Sequence, residues 1–105
     1  MILLPNVKLN DVQQDFVRKI ERLDDIHKVL FGFQLTVTAT TEGKHSKGSK
    51  HYKGLAFDMR MWDKTDQEQL LWGVILAYFA KQMNLAVFDE RARDASPHWH
   101  AEEAD

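Results

Sequence analysis

The sequence predicts an α+β domain in which two main helices accompany a small antiparallel sheet. Two stretches repeat apolar residues at steps of three and four, and shorter stretches alternate apolar and polar side chains. These elements follow the order helix, strand, strand, helix, strand, strand, which is typical of the α+β class. With 105 residues, 44% of them hydrophobic, the chain can bury one modest core. We therefore expect residues 1–105 to form a single domain.

The first helix is predicted over residues 10–30. Its apolar positions have helical spacing: Val12, Phe16, Val17, Ile20, Leu23, Ile26 and Leu30. Asn10 is the expected N-cap, Asp11 suits the positive end of the helix dipole, and Gly32 is expected to end the element. His27 lies on this helix, and we expect it to be a surface or helix-packing residue.

Two strands are predicted next, at residues 33–38 and 54–61, because apolar and polar side chains alternate there. The second strand has Leu55, Phe57 and Met59 on one face and Ala56, Asp58 and Arg60 on the other. Between the strands, residues 39–50 contain glycines, serines and lysines. This loop is too long for a tight hairpin, which makes it a candidate functional loop.

A second helix and two further strands complete the prediction. Thr65 with Glu68 is a capping-box signature, and the helix runs from there to about Met83. Its apolar stripe consists of Leu70, Leu71, Val74, Ile75, Tyr78 and Phe79. Residues 85–89 and 98–102 are the third and fourth predicted strands.

Composition excludes several function classes. The formal net charge is −2, which argues against a nucleic-acid partner despite the local positive stretch formed by Lys44, Lys47, Lys50 and Lys53. The chain has no cysteine, so any metal must be held by histidine and carboxylate side chains. We find no run long enough for a membrane span, and the apolar start at residues 1–5 is too short for a signal peptide.

Four of the five histidines fall at three places, which are His45, His51, and His98 with His100. Asp58 follows His51 by seven residues, and the turn at Gly54 can bring the two to one edge of the sheet. His98 and His100 are two residues apart, so on a strand they share a face. Imidazoles plus a carboxylate are the ligands of catalytic zinc. A single histidine or aspartate on a strand is more often an ordinary polar residue, and the spacing leaves both interpretations open.

The segment from Gly43 to Arg60, GKHSKGSKHYKGLAFDMR, resembles the Ser-x-His-x-x-Gly-x-Ala-x-Asp signature of the D-alanyl-D-alanine carboxypeptidase family of zinc peptidases. The matching positions are Ser49, His51, Gly54, Ala56 and Asp58. Phage endolysins belong to this family, and the signalling domain of hedgehog proteins shares its fold. The third ligand of the family lies near the C-terminus, often in a His-x-His pair, and residues 98–100 have that pattern.

The resemblance implies a hedgehog/DD-peptidase-like zinc domain with Zn²⁺ as its cofactor. His51, Asp58 and His100 would be the metal ligands, and His98 would lie beside them to orient water or stabilise the oxyanion. The alternative register, with His98 as the third ligand, stays open.

Two positions depart from the family pattern. Many members carry an acidic residue three positions before the ligand histidine, where this chain has Pro97. Asp94 and Glu90 are the two candidates for the general base, and the sequence does not decide between them.

The family often has an arginine before the motif that grips the substrate carboxylate. Lys44 occupies that neighbourhood here, with His45 beside it. We assign Lys44, His45 and Ser49 to substrate binding, and lysine can supply the charge but not the bidentate geometry of arginine.

The resemblance thus implies a zinc-dependent peptidase acting on peptidoglycan stem peptides, of the D-Ala-D-Ala carboxypeptidase or L-Ala-D-Glu endopeptidase type. We expect a phage or prophage lytic enzyme, synthesised in the cytoplasm and acting on the cell wall, with a monomer favoured. The alternative is a non-catalytic zinc-binding or virion structural module of the same fold.

Overall fold

The computed structural model describes residues 1–43, 45, 47–91 and 97–105, and in these it contains two helices and a five-stranded mixed sheet. The helices are α1 (Gln14–Phe31) and α2 (Asp66–Gln82). The strands are β1 (Ile2–Leu3), β2 (Thr36–Ala39), β3 (Ala56–Arg60), β4 (Leu85–Asp89) and β5 (His98–Glu103). A 3-10 helix occupies Lys50–Lys53, before β3. The predicted α+β class is confirmed.

The sheet has the order β1-β2-β3-β5-β4 and differs from the prediction at one edge. Its β2, β3, β5 and β4 strands pair antiparallel, whereas β1 pairs parallel with β2. The pairing arises because the backbone N–H of Ile2 donates to the Leu35 carbonyl at 2.8 Å, and that of Leu4 donates to Val37 at 3.2 Å. The short apolar start of the chain is therefore an edge strand.

The two faces of the sheet have different chemistry. Apolar side chains of the central strands join both helices in one core, whose largest buried members include Phe16, Ile20, Phe57, Met59, Trp72, Leu76 and Trp99. Phe16 of α1 meets Phe57 of β3 edge to face, with ring centroids 5.9 Å apart. Because strand side chains alternate, Asp58, His98 and His100 lie on the opposite face. The polar face of the sheet is where the candidate site forms.

The first helix begins at Gln14, four residues later than predicted, with Gln13 rather than Asn10 as its N-cap. The backbone N–H of Gln13 donates to the Gly54 carbonyl at 3.0 Å, so the preceding segment is tied to the loop before β3 instead of continuing the helix. Gly32 ends α1 in the left-handed region, with φ of 79°, as predicted.

The second strand begins at Thr36, three residues later than predicted. Two side chains of α1 form hydrogen bonds with the backbone just before it, so that backbone does not pair as a strand. His27 Nδ1 lies 2.8 Å from the Phe33 carbonyl, and Asp24 Oδ1 accepts from the backbone N–H of Leu35 at 2.9 Å. His27 is completely buried, so it is a helix-packing residue and not a surface residue.

The capping box of α2 is confirmed. Thr65 Oγ1 accepts from the backbone N–H of Glu68, and the Glu68 carboxylate accepts from that of Thr65. The buried face of the helix is formed by Trp72, Leu76 and Ala80, and most of the predicted apolar stripe faces outward. Its exposed members are Leu70, Leu71, Val74 and Tyr78. Despite this apolar surface, neither α2 nor α1 is suited in length and hydropathy to crossing a membrane.

Candidate metal centre

Pairing of β3 with β5 brings two of the predicted ligands together. Asp58 stands directly opposite His100, and Arg60 stands opposite His98. Opposed residues of an antiparallel pair have Cβ atoms about 4.5–5.5 Å apart on the same face, so their side chains can touch. His100 Nδ1 lies 2.9 Å from Asp58 Oδ1, although the two residues are 42 positions apart in the sequence.

The 3-10 helix places the third predicted ligand, His51. Ser49 caps this helix, its hydroxyl accepting from the backbone N–H of His51 at 3.2 Å. Gly54 ends it with φ of 69°, and its N–H donates to the His51 carbonyl at 3.1 Å. A Cβ on Gly54 would clash with the backbone oxygen of Asp11. Glycine is required there by both the dihedral angle and the close approach.

Three potential ligand atoms converge at this point of the sheet. His51 Nε2 lies 3.3 Å from Asp58 Oδ1 and 3.2 Å from His100 Nδ1. Ligands about 2.0–2.1 Å from a tetrahedral zinc are about 3.3 Å from one another, so the observed separations are close to those that one ion requires. All three side chains are buried, and together they could hold a metal ion.

His51 and His100 each have one ring nitrogen that faces away from the convergent group, and its hydrogen bond fixes where the proton of the ring lies. His51 Nδ1 is 2.5 Å from the Thr40 carbonyl oxygen, and His100 Nε2 is 2.8 Å from Glu102 Oε1. Both partners can only accept, since one is a carbonyl and the other an ionised carboxylate, so these ring nitrogens carry the hydrogen. In the neutral rings the inner nitrogens then present lone pairs. Three lone-pair atoms that face one another need a cation among them, and orienting partners of this kind are typical of metal-binding histidines.

The charge states of Asp58 and His100 follow from the contacts that these side chains make. Burial alone would raise the pKa of Asp58, but its close contacts with the imidazoles of His100 and His51 outweigh burial and hold that pKa far below its usual range. Burial alone would lower the pKa of His100, whereas the hydrogen bonds to Asp58 and Glu102 raise it above its ordinary value. A proton on His100 therefore stabilises the metal-free site, and an ion that binds there must displace it.

Three further predicted site residues surround the ligands. His98 Nε2 lies 2.9 Å from Glu90 Oε2 and 3.6 Å from Asp58 Oδ2. The ring of His45 stacks on that of His51, with centroids 3.9 Å apart and an interplanar angle of 8°. The structure thus brings His45, His98 and Glu90 to the border of the candidate centre.

The remaining predicted site residues have different outcomes. The Ser49 hydroxyl is engaged as a helix cap, and its predicted contact with substrate stays a prediction. Lys44 and Asp94 fall outside the described residues, so their predicted roles also stay predictions. Of the two registers considered for the third ligand, the convergent group contains His100, while His98 pairs with Glu90.

Two residues that orient the ligands were given no metal-binding, proton-transfer or substrate-binding role from the sequence. Glu102 follows His100 by two positions on β5, so the same alternation that pairs His98 with His100 would have placed it on their face. Thr40 acts through its backbone carbonyl, which any residue type supplies, and the sequence contains no signal for it.

A cleft of about 450 Å³ opens beside the candidate centre. It is lined by Leu4, Thr38, Ala39, Asp58, Arg60, Trp62, Pro97 and His98. A larger cavity of about 570 Å³ lies between α2 and β4, and none of the three ligand residues lines it. The smaller cleft therefore reaches Asp58, one of the three ligand residues, and His98 beside it.

Comparisons with protein-family models, with curated proteins and with solved structures gave no match. The candidate site is therefore defined by its own geometry: two imidazoles and one carboxylate, oriented by a backbone carbonyl and a second carboxylate.

Proposed function

We propose that the protein is a zinc-dependent peptidase that hydrolyses amide bonds in peptidoglycan stem peptides. The carrying observation is the convergence of lone pairs from His51, Asp58 and His100. Three such ligands leave a coordination position for water or substrate, as in catalytic rather than structural zinc sites. Zinc in a site of this kind polarises a carbonyl group and lowers the pKa of water.

The proposed family is that of the D-Ala-D-Ala carboxypeptidases, with a hedgehog/DD-peptidase-like fold and a role as a phage or prophage lytic enzyme. Its support is the agreement of motif and geometry. The motif residues Ser49 and Gly54 cap the two ends of the helix that presents His51. The His-x-His strand lies next to the strand of Asp58.

Glu90 and His98 are the groups we propose for proton transfer. Their hydrogen bond of 2.9 Å holds the His98 ring at the border of the centre, 3.6 Å from Asp58 Oδ2. A carboxylate and an imidazole in contact can accept a proton from the attacking water and return it to the leaving amine. Asp94 remains the alternative base.

The test combines metal content with release of amino groups from peptidoglycan. We expect one zinc per chain, and release that chelation abolishes and added zinc restores. Asp58→Asn should lose both properties, whereas Asp15→Asn, at a side chain that is 93% exposed, should retain them. Release that persists after chelation, or a chain that binds no zinc, would refute the proposal.

Loss of proton transfer can be distinguished from loss of zinc by measuring both the reaction rate and the zinc content of variants. Glu90→Gln and Asp94→Asn should each keep the zinc, and the one that removes the base should lower the rate by about 10²–10⁴-fold. Glu21→Gln, at an exposed position of α1, is the matched control. A protein that binds zinc but releases nothing from several wall types would instead be a non-catalytic zinc-binding or virion structural module.

A further inference from the structure

The outward face of α2 carries a contiguous group of large apolar side chains. Leu70, Leu71, Val74 and Tyr78, which we call the α2 patch, are exposed by between 44% and 72%. Steps of three and four residues join these positions, so their side chains lie side by side on one face of the helix. Large exposed apolar patches on soluble proteins mark places where another surface binds.

The area of the α2 patch matches what a dimer needs. The exposed parts of its four side chains amount to roughly 500 Å², within the range of the largest patches found on monomers. A standard interface buries about 800 Å² on each partner, and in homodimers about 65% of it, or about 520 Å², is apolar. The patch can therefore form the apolar core of one standard interface, with polar residues of α2 at its rim.

The shape of this surface also suits a second helix. The α2 patch borders the cavity of about 570 Å³ between α2 and β4, because Leu70 and Val74 line that cavity too. The small residues Gly73, Ala77 and Ala80 form much of its α2 side. A groove therefore lies beside a ridge of larger side chains, and helices pack by placing the ridges of one into the grooves of the other.

The α2 patch is symmetric about Val74. Leu70 lies four residues before Val74, and Tyr78 lies four residues after it. When two copies of α2 cross antiparallel about a two-fold axis at Val74, this residue meets its own copy. Leu70 then meets Tyr78 of the second copy, and Leu71 meets Ala77. Apolar residues thus face apolar residues on both sides of the axis, as a self-complementary interface requires.

The charges at the two ends of α2 fit the same arrangement. Asp66 is exposed in the first turn, and Lys81 is exposed in the last. Arg91 lies close to Asp66, but Asp89 balances its charge at 2.9 Å, so this end of the surface stays acidic. An antiparallel pair brings Lys81 of each copy within one turn of Asp66 of the other. A parallel pair would place like charges together, which costs binding free energy.

We propose that the α2 patch binds a second copy of this chain, in a two-fold dimer whose helices cross antiparallel at Val74. This dimer goes beyond the peptidase function and does not depend on it. It departs from the monomer expected from the sequence. Asp58 and His100 lie on the opposite face of the sheet from the helices, so each copy keeps its candidate metal centre accessible.

Two other occupants fit the α2 patch less well. Helices that lie on a membrane surface carry several lysines or arginines beside their apolar face, whereas Lys81 is the one basic residue of α2. A helix of a different protein would not need apolar residues placed symmetrically about Val74. Charge and symmetry together therefore favour the second copy.

The main experiment is sedimentation equilibrium of the full chain over about 1 μM to 1 mM, the range of weak to moderate affinities. We expect the average mass to rise from that of one chain to that of two. Val74→Lys and Val74→Glu each place like charges at the axis and should weaken association by about hundredfold or more. An equimolar mixture of the two variants should associate again, because opposite charges then meet. Val29→Lys, at a position of α1 that is 86% exposed, should associate like wild type.

A single cysteine tests the position of the axis, since the chain has no cysteine of its own. Helices packed about 8–10 Å apart bring facing Cα atoms within reach of a disulfide. In a glutathione redox buffer, Val74→Cys should therefore form a linked dimer much more completely than Val29→Cys. Equal linkage of the two variants would overturn the placement of the axis at Val74.

Other results would reject the dimer outright. One is the mass of a single chain at every concentration, and another is association that Val74→Lys leaves unchanged. A mixture of Val74→Lys and Val74→Glu that stays monomeric would reject the two-fold arrangement. If monomeric protein bound phosphatidylglycerol vesicles and Val74→Glu abolished this binding, the occupant would be a membrane surface and not a second copy.

The fold of each variant is checked by near-UV circular dichroism, which reports the buried rings of Trp72 and Trp99. None of these measurements uses turnover or bound zinc. The dimer can therefore fail while the peptidase proposal stands, and the peptidase proposal can fail while the dimer stands.

Discussion

Two buried histidine environments in this chain differ in what surrounds the second ring nitrogen. His27 is fully buried, and its Nδ1 is bonded to the Phe33 carbonyl, while its Nε2 has no hydrogen-bond partner among the described residues. Aromatic rings surround it, with the centroids of Phe31, Phe33 and Trp72 about 5 Å away. His100 also has one nitrogen committed to an acceptor, but its second nitrogen meets Asp58 and His51.

Burial of a histidine is therefore a poor indicator of a site, and convergence of lone pairs is a good one. Burial lowers the pKa of His27 and favours its neutral ring, which suits the aromatic pocket around it. At His100 the carboxylates reverse that effect and favour a positive charge in the same place. A cation, whether a proton or a metal ion, is needed only in the second environment.

The largest expected effect is the loss of zinc when His100 is replaced. His100→Asn keeps a group able to hydrogen-bond Asp58 but removes the imidazole lone pair. Structural zinc sites with four ligands bind with about 10–16 kcal/mol, so one ligand is worth about 2.5–4 kcal/mol, or about 70-fold to 900-fold in affinity. Competition with a chromophoric chelator measures this loss. The matched variant His27→Asn should bind zinc as tightly as wild type, and equal losses in the two variants would contradict the comparison.

The free energy of unfolding, in contrast to zinc affinity, should depend strongly on His27. His27→Asn can still donate to the Phe33 carbonyl but gives up the ring packed against Phe31 and Trp72. Removing a buried side chain of this size costs about 2–4 kcal/mol of unfolding free energy. Urea unfolding of the metal-free protein measures the change. A loss below about 0.5 kcal/mol would mean that the aromatic pocket does not depend on the imidazole.

A smaller effect is expected from the residues that orient the ligands. Glu102→Gln exchanges the carboxylate that holds His100 Nε2 for an amide, and changes of this type cost about 10–100-fold in metal affinity. Zinc titration of this variant should therefore fall between wild type and His100→Asn. Affinity equal to that of wild type would show that the backbone alone orients the His100 ring.

The parts of the fold that local sequence determines were predictable. Thr65 with Glu68 marks the start of α2, and Gly32 marks the end of α1, because caps depend on residues within one turn. The first residue of β2 was not predictable, since Asp24 and His27 of α1 form hydrogen bonds with the backbone just before the strand. Alternation of side chains carries no information about such distant hydrogen bonds.

The outward face of α2 shows the same limit. Its residues from Leu70 to Tyr78 are apolar nearly all round the helix, so hydrophobic spacing alone did not identify the buried side. The structure buries Trp72 and Leu76, which meet the core shared with the sheet, and exposes Leu70 by 72%. Which stripe is covered depends on the path of the neighbouring strands.

At the candidate site, the sequence predicted the residues better than their environment. The spacing of His51 and Asp58, together with the resemblance, identified the convergent group because the motif encodes a turn and a strand that are close in sequence. The contact of the Thr40 carbonyl with His51 depends on tertiary packing and became visible only in the structure.

The subtlest expected difference between the two histidines is the sign of their pH dependence in metal-free protein. The pKa of His27 is lowered, so the unfolded chain, with a histidine pKa of about 6.5, binds the proton more readily. Its contribution to stability is complete above about pH 6.5 and is lost as the pH falls from there through the lowered value. The pKa of His100 is raised, so its contribution is complete below about pH 6.5 and is lost as the pH rises through the raised value.

NMR titration of the imidazole C–H signals, assigned with His27→Asn and His100→Asn, measures both values in one experiment. We expect His27 to titrate below and His100 above the ordinary histidine range. Saturating zinc should remove the titration of His100 near neutral pH, since the ion displaces its proton, and should leave that of His27 where it was. If zinc shifted both equally, the two histidines would report one global change in the protein, and the separation between packing and ligand histidines would fail.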